Sequence, residues 1–162
     1  MSNKKKISLF ILAMSIMLGS CKKSDSGGCN FSESSTVAPA SEIATLQAYV
    51  SATHPAAIQH PSGFFYEITA AGSGASPSIC SAVTIKYSGY LLNGTKFDEN
   101  LTGATFTLGQ LIVGLQKALP LIQKGGSMNV FIPPSLGYGS GTVGVIPANS
   151  NLIFVIQLAD VQ

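Results

Sequence analysis

The stretch Val83–Asn100, VTIKYSGYLLNGTKFDEN, decides how the rest of this chain is read. Val83, Ile85 and Tyr87 alternate with Thr84 and Lys86, the period of a strand with one face turned to a core. Asn93-Gly94 follows, the strongest short signal for a hairpin, because both residue types tolerate positive φ. The chain then returns through Thr95, Lys96, Phe97 and Asp98. Two further stretches extend this pattern: IPPSLGYG, Ile132 to Gly139, and IPANSNLIFVIQLADV, Ile146 to Val161. Three groups able to orient a polar ligand, Tyr87, Asp98 and Tyr138, stand among these apolar segments, with Phe97 beside the acid.

Working outward, Pro39-Ala40-Ser41-Glu42 predicts a helix start with Ser41 as its cap, and Ile43, Leu46, Tyr49 and Val50 recur at helical spacing. That helix packs either on its own domain or on a second copy. His60-Pro61-Ser62-Gly63 reads as a turn, and Phe64 to Thr69 as a strand. Thr105 to Leu108 is a further strand. Leu111 to Ile122 predicts the one good core helix, with Ile112, Leu115, Leu119 and Ile122 as its stripe and Pro120 disturbing its last turn. Met128 to Ile132 and Leu152 to Val161 complete the strands, with a glycine-rich loop from Leu136 to Gly144 before the last of them. Several antiparallel strands with one covering helix give an α+β fold.

These separated motifs, in this order over roughly residues 60 to 162, resemble the macrolide-binding immunophilins, the FKBP-type peptidyl-prolyl cis-trans isomerases. The resemblance implies a twisted antiparallel sheet wrapped around one short helix, here with an extra N-terminal helix. It also implies roles. Tyr138 directs its hydroxyl to a substrate carbonyl, and Asp98 faces the pocket, held by Tyr87. The backbone N–H of Ile112 binds another carbonyl. Phe97, Leu111, Ile146 and Phe154 wall in a proline ring, and Leu115 forms the floor, where the best-known members carry tryptophan. Ala104 falls where many members have an aromatic wall. Phe106 and Phe131 read as plain core.

The N-terminal end is read separately. Lys4, Lys5 and Lys6 precede the apolar run Ile7 to Leu18, which is too short for a comfortable permanent span. Leu18-Gly19-Ser20-Cys21 resembles a bacterial lipobox, implying cleavage before Cys21 and its lipidation; the alternative is an ordinary signal peptide with an incidental cysteine. Residues 1–20 are thus expected as a lipoprotein signal peptide and 21–38 as a flexible Ser/Gly/Lys/Asp-rich tether. Residues 39–59 form an N-terminal helical segment, and 60–162 the domain. The expected location is a bacterial cell envelope, lipid-anchored and facing the periplasm or the surface. With Cys21 assigned to lipid, Cys29 and Cys80 remain, and in an oxidising compartment they are either disulfide-bonded or two free thiols.

Composition excludes several classes. The net charge of +2 includes three lysines of the leader, there is no arginine, and no cationic cluster suited to nucleic acid exists. His54 and His60 lack the cysteine or carboxylate company of a metal site, so neither a metal nor a cofactor is expected. No nucleophile elbow appears, and the loop from Gly137 to Gly144 lacks the Gly-Lys-Ser/Thr ending of a phosphate cradle. Two functions remain. One is a prolyl isomerase acting on proline-containing unfolded or exported proteins, with weak binding of a macrolide implied by the resemblance. The other is a non-catalytic chaperone or ligand-binding lipoprotein on the same fold.

Overall fold

The structure is a computed structural model, and it describes residues 28–162. The leader, Cys21 and the first part of the expected tether lie outside the described residues.

From Leu152 to Val161 and from Ala82 to Leu91, alternation of buried and open positions builds two ten-residue strands, β6 and β3, which pair with each other inside one sheet. β4 (Lys96–Thr107), β5 (Ser127–Ile132), β2 (Phe65–Ala70) and the short β1 (Ile58–Gln59) complete it. The order is β1-β2-β5-β6-β3-β4, and every neighbour runs antiparallel. The α+β reading therefore holds, with six strands rather than a minimal set.

Both faces of the centre are covered. On one face Val83, Ile85, Met128, Val130, Phe154 and Ile156 close against α2 (Val113–Ala118) and the 3-10 turn after it through Leu115, Ala118 and Leu119. On the other, Phe65, Phe131 and Ile153 are capped by Leu46 and Val50 of α1 (Ala40–Thr53), one turn apart on a single helix stripe. Each such side chain contributes about 1.5–3 kcal/mol on full burial. Phe131 belongs to this second core, while α1 seats on its own sheet.

Several local expectations change. The helix expected from Leu111 to Ile122 shortens to Val113–Ala118, since Leu111 and Ile112 are extended (φ −77, ψ 168 and φ −60, ψ 149) and Pro120 sits in a 3-10 turn. Its apolar stripe still points inward, because Leu119 and Ile122 are buried from that turn. Pro39, not Ser41, occupies the N-cap of α1, and no side chain caps it. The hairpin at Asn93-Gly94 places only Gly94 at positive φ (84°); Gly94 N–H donates to Leu91 O and Leu91 N–H to Thr95 O. That is a type I turn closed by a glycine bulge rather than a two-residue primed turn. Residues 28–38, expected as part of the tether, are tied down: a disulfide joins Cys29 to Cys80 with Cα atoms 5.8 Å apart, and Ala38 is buried, its N–H donating to Ser62 O.

Candidate functional site

The concave face of the sheet opens into a cleft of about 220 Å³ beside α2. β3 contributes Ile85 and Tyr87, β4 contributes Asp98 and Phe106, and β6 contributes Phe154. The rim leading into α2 brings Gln110, Leu111 and Ile112; Leu115 lies at the bottom, and Tyr138 hangs over from the loop after β5.

A register shift builds the polar end. Gly89 pairs with Asp98 and Tyr90 with Lys96, so Phe97 is the extra residue of a bulge in β4. In a regular strand Phe97 and Asp98 would point to opposite faces. Here the Phe97 ring packs edge-on against Phe154, centroids 5.5 Å apart, while Asp98 Oδ2 accepts from the Tyr87 hydroxyl at 2.7 Å on the same side. Asp98 Oδ1 accepts from the Glu99 N–H at 2.8 Å, which fixes the carboxylate from behind. Gly89 is needed for this packing: a Cβ there would come within 2.5 Å of the Phe97 ring and 3.2 Å of Phe154.

Burial, the hydrogen bond to Asp98 and its charge push the Tyr87 hydroxyl up to about 12. The Tyr138 hydroxyl is pushed up as well, by burial first and by the Asp98 charge second. Both phenols therefore stay protonated donors at any ordinary pH. Asp98 and Tyr138 are both exposed, so this polar edge stands at the mouth of the cleft and the apolar surface lies below it.

The Ile112 rim is held by a side chain. Gln116 Nε2 donates to Gly109 O at 3.1 Å and to Leu111 O at 2.7 Å, locking the turn that leads into α2. Ile112 O accepts from Leu115 and Gln116, while the Ile112 N–H has no acceptor among the described residues. It is an open donor at the edge of an apolar floor.

The residues singled out from sequence divide as follows. Tyr87, Asp98, Tyr138, Leu111, Ile112, Leu115 and Phe154 meet at the cleft. Phe97 is half-buried and packs edge-on against Phe154, and it is not among the residues that line the cleft. Ile146 does not line it either; it is buried in the main core and closes the hairpin Val143–Ile146 by two backbone hydrogen bonds. Phe106, read as plain core, lines the cleft, because its strand forms the outer wall. Ile85 and Gln110 were missed. Ile85 shares a face with Tyr87 by strand period, a signal available in sequence, whereas Gln110 is placed by a 3-10 turn that no periodicity announces.

Comparison with known proteins agrees with this geometry. The sequence profile of the family described as FKBP-type peptidyl-prolyl cis-trans isomerase matches residues 74–159. The chain is 43% identical over 105 residues to the FKBP-type peptidyl-prolyl cis-trans isomerase FkpA of Buchnera aphidicola, covering 62% of this chain and 42% of that one. It is 41% identical over 112 residues to the Outer membrane protein MIP of Legionella longbeachae, covering 67% and 48%. The chain thus spans less than half the length of these curated relatives. Among solved structures, FkpA from Escherichia coli superposes with a TM-score of 0.69 at 34% identity, covering 76% of this chain and 60% of that one. A peptidyl-prolyl cis-trans isomerase from Pseudomonas syringae gives 0.67 at 25% identity, covering 78% and 98%. With more than half of its residues matched by the family profile, and with the cleft built from those residues, this chain belongs to the FKBP-type peptidyl-prolyl cis-trans isomerase family.

Proposed function

We propose that this chain catalyses cis–trans isomerisation of X-Pro peptide bonds in proline-containing unfolded or exported proteins. The observation that carries the reading is the Tyr87–Asp98 pair at the mouth of an apolar cleft that also holds the Tyr138 hydroxyl and the open Ile112 N–H.

Rotation about a peptide bond is opposed by about 18–20 kcal/mol, because resonance holds the amide planar. The two X-Pro isomers are close in energy, so what a catalyst must change is the barrier. The twisted amide has lost resonance and is less polar than the planar one. An apolar enclosure formed by Phe154, Phe106, Leu115 and Ile85 therefore disfavours the planar form relative to the twisted one. Tyr138 O–H and Ile112 N–H hold flanking carbonyls while the bond turns, and Tyr87 keeps the Asp98 carboxylate aimed at the mouth. No proton moves and no covalent bond breaks. Leu115 gives a smaller, less rigid floor than an indole, which favours weak binding of a macrolide.

The cellular setting belongs to the same proposal. A lipidated Cys21 places the domain on a bacterial envelope membrane, facing the periplasm or the surface, with exported proteins as clients. The relative named Outer membrane protein MIP supports an envelope site. Among the described residues no helix is long and apolar enough to cross a membrane. Several acyl chains, at about 0.8 kcal/mol per buried methylene, hold a protein stably. Mass spectrometry of the N-terminal peptide is expected to show a diacylglycerol adduct on Cys21.

The deciding experiment is a protease-coupled isomerisation assay with the full chain on X-Pro peptides of varied X. Acceleration for at least some X is expected. A folded sample that never exceeds the uncatalysed rate across the panel overturns the isomerase reading in favour of a binding module.

A further inference from the structure

The segment before the family-matched span touches the chain at two places next to the rims of the cleft. Residues 28–33 form no regular element and are exposed, yet the Phe31 ring lies directly on Gly109, where an added methyl group would collide with it. Gly109 N–H donates to Ile79 O at 2.8 Å and Leu108 N–H to Ser81 O at 3.0 Å. Between Ile79 and Ser81 stands Cys80, bonded to Cys29. These links converge on Leu108 and Gly109, immediately before Gln110, Leu111 and Ile112, the rim of the cleft.

The second contact is made by α1. Glu42 Oε2 accepts from Ser135 N–H at 2.9 Å and from Ser135 Oγ at 2.7 Å, across 93 residues of sequence. Bonds to a carboxylate are the strong kind. Ser135 sits in the turn Pro134–Leu136, whose Pro134 carbonyl accepts from the N–H groups of Gly137 and Gly139, the two neighbours of Tyr138. One carboxylate oxygen thus holds the turn from which Tyr138 projects.

We propose that the segment from Cys29 to Thr53 is a brace that positions both rims of the cleft. Phe31, with the Cys29–Cys80 disulfide, fixes the rim that ends in the Ile112 N–H. Glu42 fixes the turn that carries the Tyr138 hydroxyl. Phe31 and Glu42 are positioning residues: neither lines the cleft. A small displacement of a binding group is costly in rate, so looseness at either rim appears in kinetics before it appears in fold content.

The kinetic part rests on the isomerase reading; the structural part does not. Phe31→Ala in the full chain is expected to raise KM two- to tenfold with kcat retained, and Phe31→Leu to restore most of the loss. Glu42→Ala is expected to lower kcat/KM severalfold, and to have no further effect when Tyr138→Phe is already present, because it acts through that hydroxyl. Should Glu42→Ala fail to fold, Glu42→Gln, which keeps the shape and removes the charge, is expected to show a smaller loss with the same dependence on Tyr138. Independently of turnover, amide hydrogen exchange followed by NMR is expected to quicken at Leu108 and Gly109 in Phe31→Ala, and at Gly137 and Gly139 in the Glu42 variant. Lowered melting temperatures with unchanged KM, kcat and local exchange overturn the brace and leave plain stabilisation. Quickened local exchange in a chain that never isomerises X-Pro peptides keeps the brace and overturns the isomerase reading instead.

Discussion

Two hydroxyl–carboxylate pairs lie side by side on the same two strands. Tyr87 donates to Asp98 at 2.7 Å, and Ser88 donates to Glu99 at 3.0 Å. Consecutive residues of a strand face opposite ways, so the first pair looks into the cleft and the second out of it. Glu99 also takes Lys96 Nζ at 2.8 Å; that hydrogen bond, then the one from Ser88, holds its carboxyl below the usual range. Among the described residues no cation is paired with Asp98, which lines the cleft together with Tyr87, Tyr138, Phe106 and Phe154. The same pairing chemistry is thus a partly buried pair neutralised by a lysine on one face and a carboxylate without a paired lysine above an apolar floor on the other. Residue type alone does not separate them; the face does.

The largest separation between the faces is expected from removing the inward carboxylate. Asp98→Val takes away the charge at the mouth and leaves the Tyr87 hydroxyl without its acceptor, so isomerase kcat/KM on an X-Pro peptide should fall further than for loss of a single hydroxyl. Next comes Gly89→Ala. Its methyl group meets the Phe97 ring, and overpacking of this kind costs about 1–3 kcal/mol. A chemical denaturation curve should show that loss together with reduced activity, as Phe97 pushes on Phe154. If the variant is as stable and active as the parent, the bulge does not set the wall.

A smaller effect separates the pairs by pH. Tyr87 is raised in the folded chain from 10.0 to about 12, so its protonated form is favoured by folding. Its contribution is fully present below pH 10 and lost as pH rises from 10 towards 12. Melting temperatures measured across that window should decline less steeply in Tyr87→Phe than in the parent. His60 has the opposite sense: burial, then the Lys117 charge, lowers it, and its Nδ1 accepts from the Ser62 N–H. Stability should therefore slip as pH falls below 6.5, and His60→Gln should flatten that slope. Smallest of all is Glu99→Gln, expected to leave activity and melting temperature unchanged within error. A marked activity loss there would erase the distinction between the two faces.

How far the sequence reached follows from physical period. β3, β5 and β6 alternate or run continuously apolar, and their existence was legible; so was α1 through Leu46 and Val50. The short α2 was overextended because the 3-10 turn after it also buries Leu119, which a buried stripe does not distinguish from α-helix, and because the extended Leu111 and Ile112 before it keep the apolar spacing. In the site, Tyr87, Asp98 and Tyr138 were reachable through family motifs, not through periodicity. Phe97 and Phe106 illustrate the limit. A one-residue bulge turns Phe97 to the face of its neighbour, and the outer-wall position of β4 makes Phe106 a lining residue; both depend on pairing across strands. The contacts of Phe31 and Glu42 span dozens of residues and leave no local trace.

The most direct test of the central claim, catalysis by orientation and apolar enclosure, is the isomerisation rate of Tyr138→Phe beside the parent chain. One lost hydrogen bond of about 1–2 kcal/mol corresponds to roughly a five- to thirtyfold lower rate. That fall is expected with circular dichroism and melting temperature preserved. Full activity in Tyr138→Phe, or a covalent peptide adduct caught by mass spectrometry during turnover, would contradict it.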